Sequence, residues 1–147
     1  MAFLPPPIQF LPFRGPRGEA KAQELAPGVF YCWASGHIDL GMFRYFTHSF
    51  DQVVQRTSPV ESFYDWRDIS GYDPEVREAH GVWTRKMRKH IARSHILFRS
   101  PQVAMALAVA RLKLPYLEFY TDFDLFEERK REVLRERGIA ILPKLGK

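Results

Sequence analysis

The sequence predicts an α/β domain with a four- to five-stranded, mostly parallel sheet, opened by an antiparallel N-terminal hairpin and covered by four helices. Three observations predict it. Short apolar runs of strand length, at 29–35, 60–66, 94–99 and 116–120, alternate with longer segments whose apolar residues recur at three- and four-residue spacing. Pro27-Gly28 supplies turn chemistry between the first two strands. A short polar residue followed by proline, at Asp73-Pro74 and again at Ser100-Pro101, marks a helix start soon after a strand. Alternating strands and helices argue for parallel pairing, because a parallel return needs a crossover of about helix length.

Residues 1–18 hold five prolines among Phe3, Leu4, Ile8, Phe10, Leu11 and Phe13. Proline denies a sheet its donors, so this stretch reads as an extended arm and not as a domain strand. Six large apolar side chains are costly to leave in water, and two fates are open: packing on the arm's own domain, or a clasp onto another molecule, a second copy included. The domain follows at 19–137. Residues 19–37 read as a hairpin whose second strand, 29–35, is apolar enough to be interior. Asp39 caps a helix with Phe43, Phe46, Phe50, Val53 and Val54 on one face, closed by Ser58-Pro59. The next strand, 60–66, leads through a polar loop to a helix that starts at Asp73. That helix has Val76, Ala79, His80, Trp83, Met87, His90 and Ile91 on one side and Arg77, Arg85, Arg88 and Lys89 on the other.

The helix over 102–113 is apolar nearly all round, so it is expected either to be sandwiched or to keep a face for something else. Thr121 or Asp122 caps the last helix, which runs to about 137 with a narrow stripe of Phe123, Phe126, Val133 and Leu134. Glu127 and Arg131 sit at i,i+4 spacing on it. The remainder, 138–147, is a short tail with apolar residues at 139–142.

The stretch 64–75 organises the chain, because ligands and partners of open α/β sheets dock at the carboxyl ends of the strands. Asp73 is read there as the helix cap, Pro74 as the first helical residue, and Glu75 as a fixed charge favoured by the positive end of the helix dipole. Arg67, Asp68 and Arg77 are the expected exposed polar contacts. With Ser70, Gly71, Asp73 and Glu75 they make up the expected partner-binding surface.

Composition narrows the classes of function. With 147 residues, 46% hydrophobic and 14% aromatic, the chain can fill one substantial core. The net charge of +5 comes from 22 basic and 17 acidic residues that are intermixed, without a basic run or a nucleic-acid-binding motif, so nucleic acid is not the expected partner. Cys32 is the only cysteine, which excludes an internal disulfide and a cysteine metal cluster within one chain; it reads as a buried thiol. No basic region followed by an unbroken apolar stretch opens the chain, and no window of about 18 apolar residues exists to span a bilayer. A cytoplasmic address is expected.

His37, His48, His80, His90 and His95 form no pair with metal-ligand spacing, no phosphate-binding glycine loop is present, and no nucleophile is placed beside His37 and Asp39. No metal, no cofactor and no catalytic residue is therefore expected.

In this order of elements the chain resembles the STAS domains, the family of sulfate-transporter C-terminal regions and bacterial anti-sigma-factor antagonists. The likeness is nearest to a bacterial branch described as STAS/Sec14-like. It is carried by Gly36-His37-Ile38-Asp39, by Tyr64-Asp65-Trp66 leading through Gly71-Tyr72-Asp73, and by 96–100 followed by Val103-Ala104-Met105, and it spans about 19–137. The resemblance implies a non-catalytic regulatory or scaffold module that binds another protein. In antagonist members it also implies control by phosphorylation of a serine that follows an Asp at the start of the second helix. Here Pro74 and Glu75 follow Asp73, so that switch is expected to be absent at this point. Ser70 is the nearest other hydroxyl and reads first as a turn-stabilising group. The Sec14-like relationship and the apolar helix over 102–113 keep a second class open, binding of a lipid or small apolar ligand in a pocket between helices and sheet. An enzyme of unknown reaction is the third.

Overall fold

The structure is a computed structural model and describes residues 6–137; the expected tail, 138–147, lies outside the described residues. Six strands, β1 (Phe13–Arg14), β2 (Gly18–Ala26), β3 (Val29–Ile38), β4 (Val60–Tyr72), β5 (Ile91–Phe98) and β6 (Leu117–Tyr120), lie side by side in sequence order. The β1–β2 and β2–β3 pairs are antiparallel, and β3 to β6 are parallel. Four helices, α1 (Leu40–Val54), α2 (Pro74–Met87), α3 (Pro101–Arg111) and α4 (Phe123–Glu136), complete the fold.

Side-chain alternation along the strands sorts the core into two layers. Phe30, Cys32 and Ala34 of β3, Tyr64 of β4 and Ile96 of β5 face α1, α2 and α3, meeting Met42, Phe46, Phe50, Val76, Val103 and Leu107. Val29, Phe63 and Leu97 face the other way and are covered by Phe126 and Val133 of α4. Interior burial of β3 agrees with its unbroken apolar run, and Cys32 is buried and free.

Local signals set three helix starts as read. The Asp39 carboxylate accepts from Met42 N at 2.9 Å, the Ser100 hydroxyl from Gln102 N and Val103 N, and the Asp122 carboxylate from Asp124 N at 2.8 Å.

Elsewhere the structure departs from the sequence reading. Residues 6–14 lie along the domain's own β2 edge, and Phe13–Arg14 is a strand, the sixth of the sheet. The carboxylate of Glu24 accepts from Ile8 N at 3.1 Å and pairs with Arg56, whose guanidinium also donates to the Pro6 carbonyl at 2.8 Å. The Tyr45 hydroxyl donates to the Leu11 carbonyl at 2.7 Å. An edge strand has one side without a neighbour, so proline there removes no ladder bond.

Helix α2 ends at Met87, and a single 3-10 turn follows, so His90 and Ile91 lie outside the helix that their spacing suggested. Ile91 instead pairs with Val60 as the first residue of β5. On α4, Glu127 pairs with Lys130 at 2.7 Å and not with Arg131, while Phe123 is partly exposed. Helix α3 is covered on one side only: Val103 and Leu107 are buried, Met105, Val109 and Leu112 exposed.

Candidate functional site

The carboxyl ends of β3 and β4 come together through a ladder longer than the sequence suggests. The polar stretch 67–72, read as a loop, is a continuation of β4. Ser35 pairs with Asp68, Gly36 with Ile69, His37 with Gly71 and Ile38 with Tyr72, across two register shifts. Such bulges re-aim side chains along a strand.

Gly36 is a position where glycine's freedom is required. Its φ is +98°, and an added Cβ would lie 2.4 Å from the Arg17 carbonyl oxygen. Close approach there allows His37 N to donate to that same carbonyl at 3.0 Å, which fixes the β1–β2 turn over the strand end. Arg17 is thereby delivered to Asp73. Its guanidinium reaches the two carboxylate oxygens at 2.8 and 3.0 Å, and His37 Nε2 lies 2.7 Å from Oδ1.

Asp73 is therefore not a side-chain cap. It occupies the N-cap position of α2 with extended backbone, but its carboxylate makes no capping hydrogen bond. Arg17 and His37 hold that carboxylate, and the hydrogen bond from His37 is the largest influence keeping its pKa below the usual carboxylate range. A carboxyl group with a lowered folded pKa contributes stability above its unfolded pKa, and that contribution is lost as pH falls through the folded value. Carbon-detected NMR of the Asp73 carboxyl should show a midpoint below about 3.9, the ordinary Asp value. The D73N variant should lose the Arg17 contact and its share of the acid sensitivity, with only a small change near neutral pH because the site is open to solvent.

The other expected site residues divide into two groups. Asp68, Ser70, Glu75 and Arg77 are exposed. The Ser70 hydroxyl donates to the Gly36 carbonyl at 3.2 Å, a local stabilising bond of the kind expected of it. Arg77 reaches the Tyr72 hydroxyl at 3.5 Å.

Arg67 and Gly71 belong to the scaffold. Arg67 donates through Nε and Nη2 to the buried Asp65 carboxylate at 3.0 and 2.7 Å, and its guanidinium lies over the Phe123 ring at 4.3 Å. Arg67 is thus not the free polar contact the sequence suggested. Gly71 is buried, and a Cβ there would meet the Gln102 side chain at 2.6 Å.

Sequence reasoning missed Arg17 and assigned His37 no partner except Asp39, its neighbour in the chain. The Gly36-His37-Ile38-Asp39 step was the available signal, but the partner of His37 lies 36 residues away.

Asp73 is the only acidic partner that the described residues place on His37, and no serine or threonine hydroxyl is hydrogen-bonded to the imidazole. The cluster ties three segments together: the β1–β2 turn, the end of β3, and the start of α2. Among the described residues no group of three or more His, Cys, Asp or Glu could hold a metal ion.

No family model matches the chain, and no curated protein matches it. Solved structures do. SpoIIAA, an anti-sigma factor antagonist in its unphosphorylated form, aligns with a TM-score of 0.56 at 16% identity, over 82% of this chain and 97% of that one. The chain has a SpoIIAA-like fold.

An uncharacterised protein of the DUF3478 family from Shewanella loihica PV-4, described as having a SpoIIAA-like fold, aligns with a TM-score of 0.53 at 14% identity, over 83% of this chain and 91% of that one. An anti-sigma factor antagonist from Mycobacterium paratuberculosis aligns with a TM-score of 0.52 at 16% identity, over 74% of this chain and 90% of that one. At this level of identity the likeness is one of fold, and it agrees with the STAS-like architecture expected from the sequence. In this SpoIIAA-like fold no helix among the described residues is long and apolar enough to cross a membrane.

Proposed function

We propose that this SpoIIAA-like domain is a non-catalytic regulatory module that binds another protein through the surface at the carboxyl ends of β3 and β4. The observation that carries the reading is the junction itself. Asp68, Ser70, Glu75 and Arg77 stand exposed around a strand end that the Arg17–Asp73–His37 cluster ties to its neighbours. A rigid rim of mixed charge suits selection of a partner by complementary potential. Arg67, Asp68, Ser70, Arg99 and Ser100 also line a shallow groove beside it. Two of the similar structures are anti-sigma factor antagonists, which supports a protein as the partner.

Pro74 and Glu75 occupy the positions after Asp73, so the module presents standing charge there and has no hydroxyl to be phosphorylated at those two positions. Glu75 lies in the first turn of α2, where negative charge is favoured.

The test is capture of a partner from an extract of the source cells by the tagged protein. R77E combined with D68R should reduce capture roughly tenfold while leaving thermal stability unchanged, because both side chains are exposed. Undiminished capture would place the interface elsewhere. Mass spectrometry after incubation with extract and ATP should find Ser70 unmodified, and stoichiometric phosphate on Ser70 would replace the constitutive reading with a switched one.

A further inference from the structure

On the face of the sheet covered by α1, α2 and α3 lies a partly open cavity of about 140 Å³. Part of its wall is aromatic: Phe46 stacks on Trp66 with ring centroids 5.7 Å apart, and Tyr64 lies against Trp66 at 5.3 Å. Leu107 of α3 and Ile96 of β5 continue the apolar lining. A well-packed interior does not leave a space of this size without consequence, because each lining side chain loses contacts on that side.

The lining is mostly apolar, and some of its polar groups lack partners. The Trp66 indole N–H and the Tyr116 hydroxyl belong to lining residues, are buried, and have no hydrogen-bond partner among the described residues. The Trp83 indole N–H is also without a bond of good geometry. Trp83 lines the cavity as well, and the Asp51 Oδ1 atom is likewise buried without a partner. A buried donor without an acceptor is rare in native interiors and calls for an explanation.

Charge is nearly excluded from the lining. Burial of His80 lowers its pKa and favours the neutral imidazole, and the one charged lining side chain is the exposed Arg77, which reaches toward the Tyr72 hydroxyl.

Size, lining and donors together define an occupant. An apolar cavity of roughly 150 Å³ accepts benzene, whereas a whole long acyl chain needs several times that space. We propose that this cavity binds a neutral molecule of about one ring in size that carries an acceptor oxygen, with Trp66 and Tyr116 supplying the hydrogen bonds and the aromatic wall holding the ring. The cavity adjoins the partner-binding surface at Arg77, which lines both, and the proposal does not depend on that reading.

The probes are acetophenone, which carries a carbonyl acceptor, and ethylbenzene, which has nearly the same shape and none. Nitrogen-15 NMR of the full chain follows the Trp66 indole N–H, assigned with W66F. Acetophenone should shift this resonance saturably, and ethylbenzene should bind roughly tenfold more weakly because it leaves the donors unpaired. W66F should narrow the difference between the two probes while keeping the ring contacts. A106F should fill the space and abolish binding, and A110L is the milder filling variant should the first not fold.

Absence of any saturable shift would overturn the proposal, as would equal affinity for the two probes in the unmutated chain. An ordered water on Trp66 that acetophenone does not displace would assign the donors to solvent and also overturn it. Tighter binding of dodecan-1-ol than of acetophenone would make the occupant an acyl chain and refute the one-ring assignment.

Discussion

Replacing Glu61 with alanine is expected to destabilise the protein by about 1–3 kcal/mol, the cost of leaving a buried hydrogen-bonding group without its partner. Glu61 is buried on β4 under α4. Its Oε2 accepts from His95 Nε2 at 2.6 Å and is ion-paired with Arg93 Nε at 2.8 Å, and its Oε1 accepts from Arg93 Nη2 at 3.3 Å. His95 is fully buried, stacked on Phe63 with ring centroids 4.3 Å apart, and its Nδ1 lies 2.9 Å from the Tyr120 hydroxyl. With Nε2 donating to Glu61, a neutral imidazole has Nδ1 free to accept from Tyr120, so the glutamate sets the tautomer and the orientation of the ring.

Removing the carboxylate leaves His95 without an acceptor in the interior and Arg93 without its main partner. Burial pushes the Glu61 pKa up, but the hydrogen bonds from His95 and Arg93 outweigh it and hold the group below the usual carboxylate range. Because the folded pKa is lowered, the stabilisation is present at neutral pH and is lost as pH falls through the folded value. Urea unfolding at neutral pH should show the loss in E61A. The gap between E61A and the parent chain should shrink in acid, and a gap independent of pH would show that packing and not charge accounts for it.

Replacing Phe126 with alanine is expected to cost about 3–5 kcal/mol, as for a fully buried aromatic ring that leaves a cavity behind. Phe126 is the anchor of α4. It is fully buried and meets Phe63 and Tyr120 edge-on, with ring centroids 5.7 and 5.6 Å apart. Val133, two turns along the same stripe, is the other fully buried side chain of that helix, and most of the rest of α4 is polar. A helix with so few buried residues derives its hold on the domain from each of them.

Denaturant unfolding of F126A should show the stability loss. Hydrogen exchange should show α4 opening well before β3 and β4, and uniform protection across the domain would contradict this. The effects of E61A and F126A should not add, because Phe63 touches both the His95 ring and the Phe126 ring; a double-mutant cycle should give a coupling of about 0.5–3 kcal/mol.

How much of the site was legible depended on how far apart its partners lie in the chain. Asp39 and Ser100 were read as caps and are caps, and of Thr121 and Asp122, both offered for the last helix, Asp122 is the cap, because a cap bonds to backbone two or three residues on. Asp73 carries the same local signature, with Pro74 and Glu75 behind it, yet its carboxylate goes to His37 and Arg17, 36 and 56 residues away. A charged partner delivered by the fold outcompeted the neutral backbone donors within reach, since hydrogen bonds between two charged groups are the stronger kind. Residues 67–72 look like a loop by composition and form strand, because β3 offers them a ladder that their own sequence does not announce.

What the sequence determined by itself is what short-range chemistry can specify: the alternation of strand and helix, the Pro27-Gly28 turn, the cap-and-proline helix starts, and through their order the STAS-like α/β architecture. What only the tertiary structure decided is what depends on juxtaposition. It laid residues 6–14 along the β2 edge, extended β4 to Tyr72, brought Arg17 and His37 onto Asp73, buried Glu61 beside His95, and left a cavity lined by three residues with unpartnered polar groups between the sheet and its helices. The physical reason is one of range. Backbone propensities and caps act over a few residues, while the pairing of buried polar groups and the filling of space are settled only when distant segments meet.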